Sequence, residues 1–304
     1  MNSKLSPAWI LLGQCAFTYN VLENCLRMGI CPFCIAIEDT PIDNDPFKGL
    51  VIEQNYKWWE EHLFYYYGWR DAITKLCKKH NINLIIRTKV LDLIPNADIL
   101  IIAGYAKKVN QGIIKHFSPW ALNIHPSLLP KYRGPQPEAQ AILHNENISG
   151  VSIHGMTEKL DSGPIYFQGQ YKVSPFSTVG DMEKLEAKYA AEGIRSLLLL
   201  FPGLKGKLIK SSRMYFPWYK SEKILCLNEY KKVNDMKNIL RLRPEGYAYY
   251  LNGACQHFPI VYSENENEWG KQKIKIGDNI LSFNICVLKN EDGLQLCASH
   301  KNRL

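Results

Sequence analysis

The stretch that most constrains what this chain can fold into is residues 121–137, ALNIHPSLLPKYRGPQP. Leu122 and Ile124 alternate with Asn123 and His125. Residues two apart on a strand face the same way, so the run predicts a strand end from which Asn123 and His125 project together. Pro126, Pro130, Gly134, Pro135 and Pro137 then exclude continuous helix or central strand. The polar pair therefore stands where a buried strand opens into a stiff loop, and in an open α/β sheet ligands bind at that edge.

The flanking segments fit such a sheet. Residues 9–13 (WILLG) read as a buried strand, Val21, Leu22, Cys25, Leu26 and Met28 as a helix stopped by Gly29, and 33–37 as a second strand. This βαβ opening predicts an α/β, doubly wound Rossmann-like domain. Strands are expected at 84–87, 98–103, 150–156 and 164–173, and helices at 111–117, 138–144 and 179–200. The last of these has the clearest helical period, with Met182, Leu185, Ala190, Ile194, Leu197 and Leu198, and ends before Pro202-Gly203. A boundary there gives domains 1–204 and 205–304. Short β-like runs at 247–251, 258–262, 273–276, 280–286 and 294–298 make the second part a smaller, mainly β, barrel-like domain.

Charge is uneven between the two parts. Residues 1–204 carry 20 Lys+Arg against 19 Asp+Glu and residues 205–304 carry 17 against 10, so +7 of the formal +8 lies in the last third. Such an excess suits an anionic partner, although dispersed lysines also make an ordinary solvated surface. The apolar run from Ala8 to Leu12 is too short for a secretory leader and no run approaches a membrane span, so a soluble, cytoplasmic protein without membrane contact is expected. Nine scattered cysteines fit reduced thiols. Cys31-Pro-Phe-Cys34 has metal or redox spacing, but no second pair completes a zinc site, so plain buried cysteines and no metal are expected. The first turn, GQCAFT, lacks the glycine patterns of dinucleotide and P-loop sites.

Residues 52–80 read as a long or paired helix rich in aromatics: Tyr56, Trp58, Trp59, Phe64, Tyr65, Tyr66, Tyr67 and Trp69. Consecutive rings cannot share one helical face, so some must cap the sheet edge, meet a second copy in a homodimer, or form an acceptor-binding wall. Tyr247, Tyr249 and Tyr250 are expected in the core of the β domain.

Asn123, His125 and Asp161 are the polar groups that stand out on apolar strands or tight loops. An amide N–H can stabilise an oxyanion, an imidazole can move a proton near neutral pH, and a carboxylate can orient and stabilise it. The set suits attack of an external amine on an activated acyl carbon. For His154 the expected use is a structural hydrogen bond, with substrate contact as the alternative. Lys131 and Arg133 are open between a phosphate or glutamate-tail contact and a solvated loop.

LNIHPSLLPKYRG followed by LDSGPI resembles the catalytic core of the folate-dependent formyltransferases, which act on methionyl-tRNA, glycinamide ribonucleotide or nucleotide-linked amino sugars. The resemblance implies that 1–204 is the catalytic domain, that 10-formyltetrahydrofolate is the co-substrate, and that Asn123, His125 and Asp161 are the active-site triad, with a protonated His125 and Asn123 facing the oxyanion. It implies that Ser127, Leu128, Leu129 and Pro130 border the folate. Ala103, Gly104, Tyr105, Lys107, Val109 and Ile114 would line the pterin pocket, and Thr157, Glu158 and Leu160 the loop around it.

The acceptor is less marked. The segment EDTPIDNDPFKGL is acidic where methionyl-tRNA enzymes carry a basic loop, and acidic side chains repel RNA phosphate. Arg241-Leu-Arg243 and the run Pro-Glu-Gly-Tyr-Ala-Tyr nevertheless resemble the start of the C-terminal barrel of those enzymes. A small-molecule, nucleotide-linked amino sugar is the expected acceptor, methionyl-tRNA the alternative, and water, in a formyltetrahydrofolate hydrolase, a further one.

Overall fold

The computed structural model describes residues 6–39, 64–175, 177–208, 215–216, 224–226, 238, 241–242 and the strands between 247 and 285. The first part of the aromatic run, the acidic loop from residue 40 on, Arg243 and the expected strand at 294–298 lie outside the described residues. So do the side chains of Tyr65, Tyr66, Tyr247, Tyr249 and Tyr250.

Along the chain, β1 (Trp9–Gly13), α1 (Ala16–Arg27) and β2 (Cys34–Glu38) form the opening βαβ unit. After a single π-turn at Phe64–Gly68, α2 (Trp69–His80) and β3 (Asn83–Arg87) follow, then β4 (Ile99–Ala103), α3 (Gln111–Phe117) and β5 (Ala121–His125). α4 (Pro137–Leu143), β6 (Ile148–Gly155), β7 (Ile165–Lys172) and α5 (Val179–Leu200) close the first part. The long or paired helix expected over 52–80 is described only from residue 64, where a π-turn precedes α2.

The seven strands run in the order β3-β2-β1-β4-β5-β6-β7. β1 to β5 are parallel, whereas β6 and β7 are antiparallel, so the doubly wound sheet is mixed. Strands β1, β2 and β4 are buried along their whole length, as their continuous apolar sequence requires. The strand order reverses between β1 and β4, and β5 lies next to that switch point. Asn123 and His125 thus reach the carboxyl edge where such sheets bind ligands.

α5 packs across the sheet through Met182, Ala187, Ala190, Ile194 and Leu197. Its start is fixed by reciprocal capping: Thr178 Oγ1 accepts from Asp181 N at 3.2 Å and Asp181 Oδ2 accepts from Thr178 N at 2.9 Å. Small residues on this face permit close approach; a Cβ at Gly193 would stand 2.7 Å from Ile153 and 2.4 Å from Phe167.

A second sheet has the order β11-β12-β10-β9-β8, made of β8 (Ile224–Cys226), β9 (Tyr247–Leu251), β10 (Ala254–Val261), β11 (Gly270–Ile276) and β12 (Asn279–Ile285). β8, too short for a pattern, is absent from the sequence reading. Among the described residues, no helix is long and apolar enough to cross a membrane.

Two buried acids face each other under the sheet. Glu138 on α4 and Glu186 on α5 are 6% and 0% exposed, and Tyr171 Oη donates to Glu186 Oε1 at 2.6 Å. Burial raises both carboxyls, and the charge of Glu138 raises Glu186 further. The folded state therefore holds protons that the unfolded chain releases near the ordinary glutamate pKa of about 4.3, so this pair lowers stability as pH rises above that value. Glu186→Gln keeps a carbonyl for Tyr171 and removes the charge. Its thermal midpoint is expected to exceed the wild type's at pH 8, by on the order of 5 °C, and to match it closely at pH 5.

Candidate active site

The site is built where β5 ends. Its neighbour β6 runs antiparallel with Asn123 opposite His154 and His125 opposite Ser152, so the pleat places Asn123, His125 and His154 together. His125 is 5% and His154 2% exposed, and their rings meet edge to face with centroids 6.3 Å apart. Asp161 arrives from the loop between β6 and β7 in a left-handed conformation (φ 49°), which Asp tolerates better than most residues. Its Oδ1 lies 3.7 Å from His125 Nδ1 and 3.5 Å from His154 Nε2, and its Oδ2 accepts the Gly134 N–H at 2.9 Å.

These contacts define the charge states. Burial opposes the charged form of Asp161, but the Gly134 N–H donated to Oδ2 favours it, and the carboxyl is held below its ordinary value. Asp161 is therefore a carboxylate throughout the physiological range. His125 is lowered, chiefly by burial, against the opposing attraction of Asp161. At pH 7 it rests neutral, not as the imidazolium expected from the sequence. Its Nε2 stands 2.9 Å from the Tyr132 carbonyl. A carbonyl only accepts, so Nε2 carries the proton and Nδ1, facing Asp161, carries the lone pair.

The loop after β5 is tightly held. Ser127 Oγ donates to Lys131 O at 2.7 Å, Ser152 Oγ donates to Ser127 O at 2.6 Å, and Leu129 N donates to Ser152 Oγ at 3.0 Å. Tyr132, Gly134 and Gln136 all adopt positive φ. Lys131 and Tyr132 both reach Glu146, and Arg133 Nη2 donates to the Leu160 carbonyl. Phe216, far along the chain, donates its N–H to Arg133 O at 2.9 Å, and Tyr215 bridges Arg133.

The structure brings Asn123, His125 and Asp161 together and adds His154, for which the sequence favoured a structural hydrogen bond over substrate contact. The remaining expected residues have different surroundings. Tyr105 Oη and Lys107 Nζ both bind Glu38, at 3.2 and 2.5 Å. Val109 and Ile114 belong to the apolar cluster under β1 and β4, and Ala103 O accepts from Thr18 Oγ1. Gly104, with φ 65°, accepts the Gln14 N–H. Ser127 and Leu129 are buried, and Leu128 packs over Gly150. The Leu129–Pro130 peptide is cis. Thr157 binds Lys159 O and Ser162, Glu158 is exposed, and Leu160 is 61% exposed at the loop tip. Cys34 is buried as expected, but Cys31 is exposed, because it precedes β2 rather than lying in it.

Residues 86–198 match the family model described as Formyl transferase. Over 219 residues the chain is 31% identical to the methionyl-tRNA formyltransferase of Buchnera aphidicola from Acyrthosiphon pisum, covering 71% of this chain and 66%, just under two thirds, of that one. Its fold is similar to WlaRD, a sugar 3N-formyl transferase solved in the presence of dTDP and 5-N-formyl-THF, with a TM-score of 0.59, 20% identity, and 92% and 97% of the two chains covered. It is likewise similar to HypX from Aquifex aeolicus in complex with tetrahydrofolic acid, with a TM-score of 0.59 and 14% identity over 94% of this chain and 44% of that one. Together these similarities support a folate-dependent formyltransferase family for this chain.

Proposed function

We propose that this protein transfers the formyl group of 10-formyltetrahydrofolate to a primary amine. The observation that carries the reading is the convergence of Asn123, His125 and Asp161 at the switch-point edge of the sheet. The amine nitrogen attacks the formyl carbon, and Asn123 N–H donates to the oxygen that becomes an oxyanion. His125 Nδ1 takes the proton released by the amine and becomes an imidazolium whose charge is met by Asp161 Oδ1, 3.7 Å away. As the intermediate collapses, the bond to N10 breaks and that proton passes to N10, giving formamide and tetrahydrofolate. Tyr132 O keeps His125 in the tautomer this requires.

The remaining expected folate-side residues are proposed in three roles. Leu160, exposed beside Asp161, is a wall for the co-substrate, and Lys107, half exposed and paired with Glu38, is the cation that would meet an anionic tail. Ala103, Gly104, Tyr105, Val109, Ile114, Ser127, Leu128, Leu129, Pro130, Thr157 and Glu158 shape that wall through the loops they hold.

For the acceptor we infer a nucleotide-linked amino sugar. The acidic sequence EDTPIDND supports it, since acidic side chains repel RNA phosphate. The sugar formyltransferase fold, covered over 97% of its length, supports it as well. Methionyl-tRNA is the second reading, favoured by the Buchnera relative and the basic last third. The test is tetrahydrofolate release from 10-formyltetrahydrofolate with a dTDP-linked 3-amino sugar, with methionyl-tRNA, and without acceptor. Turnover only with the amino sugar is expected. Turnover of tRNA that falls steeply with salt would overturn the acceptor assignment, and release without any acceptor would make the protein a hydrolase.

A further inference from the structure

The geometry points to His154 as the residue that positions Asn123, a role beyond the triad. The inference rests on the formyl-transfer reading above. His154 Nδ1 lies 2.9 Å from the carbonyl of Gly155, the next residue. That carbonyl can only accept, so Nδ1 bears the proton and Nε2 presents a lone pair. Asn123 Nδ2 stands 3.2 Å from Nε2 and donates one N–H to it. The amide is thereby fixed with its nitrogen toward His154, and its second N–H is the one left for an oxyanion.

An amide held this way cannot turn over. Without a lone pair at His154, nothing among the described contacts of the Asn123 side chain tells its nitrogen from its oxygen. A carbonyl oxygen aimed at the reacting centre would repel the developing oxyanion instead of stabilising it. Asp161 Oδ1 lies 3.5 Å from the same Nε2, so His154 stands between the amide and the carboxylate. His154 is 2% exposed and anchored on β6, where a polar ring with no task would be costly.

The test is a double-mutant cycle on tetrahydrofolate release, using 10-formyltetrahydrofolate and the acceptor that turns over in the panel above, or no acceptor if release occurs without one. His154→Leu is expected to lower kcat about tenfold or more in the wild-type background and less than about twofold in Asn123→Ala, because the two act as one unit. His154→Gln, which keeps a carbonyl acceptor, is expected to recover most of kcat. In the His125→Gln protein, the 15N shifts of His154 should show a protonated Nδ1 and an unprotonated Nε2. Equal losses from His154→Leu in both backgrounds, or a protonated Nε2 in the neutral ring, would overturn the inference. If Asn123→Ala itself left turnover intact, the formyl-transfer mechanism would fail first, and the ring tautomer would still test His154.

Discussion

Asn123→Ala is expected to slow formyl transfer on the order of 100-fold or more, with a far smaller effect on KM for 10-formyltetrahydrofolate. The removed N–H acts only when charge develops on the formyl oxygen, so its loss falls on the transition state and not on ground-state binding. One such donor is worth about 3–4 kcal/mol in comparable acyl transfers. The pH profile has a definite sign. His125 must be neutral to take the amine's proton, and burial holds it below the ordinary imidazole value of 6.5. Turnover with respect to this group should therefore fall as pH drops below neutrality and stay flat above 7. Steady-state kinetics from pH 5 to 9 check both points. A profile that instead falls between pH 6 and 8 would restore the imidazolium as the working form.

The second large effect is expected at Gly134, which touches no substrate. Its φ of 103° lies in a region that side chains rarely adopt, and a Cβ there would stand 2.3 Å from the Phe216 carbonyl and 2.9 Å from the Tyr215 ring. The same residue gives Asp161 its backbone N–H. Gly134→Ala should therefore displace the loop by several tenths of an ångström and pull a donor from the carboxylate. Misplacement of that order costs up to about 100-fold in turnover, whereas the backbone strain costs about 1–3 kcal/mol of stability. Measuring kcat beside the thermal midpoint separates the two. A variant with wild-type kcat would show that the Gly134 amide does not hold Asp161 for catalysis.

Much of this was legible in the sequence because period and punctuation carry it. The alternation in ALNIH gave the strand end and the shared direction of Asn123 and His125, and the continuous apolar runs of β1, β2 and β4 marked buried parallel strands. The role of His154 was hidden, because a histidine on an apolar strand looks the same whether it packs or positions. The register that puts it opposite Asn123 is a pairing between strands, which no single segment encodes. The neutral state of His125 was equally hidden, since it comes from burial and from a carbonyl seven residues on. Tyr132, Gln136 and Asp161 hold positive φ without being glycine, so sequence alone did not announce these backbone turns around the site.

The hydrogen bond from Phe216 to Arg133 closes a loop of the chain more than 80 residues long, and it braces the turn that supplies Tyr132 O and Gly134 N–H. Every strand of the large sheet is already present by residue 172. During synthesis, then, the scaffold is complete well before the brace that tunes His125 and Asp161 has been made. Order of assembly and onset of catalysis are separated along the polypeptide, and the last third of the chain holds the key to the first two.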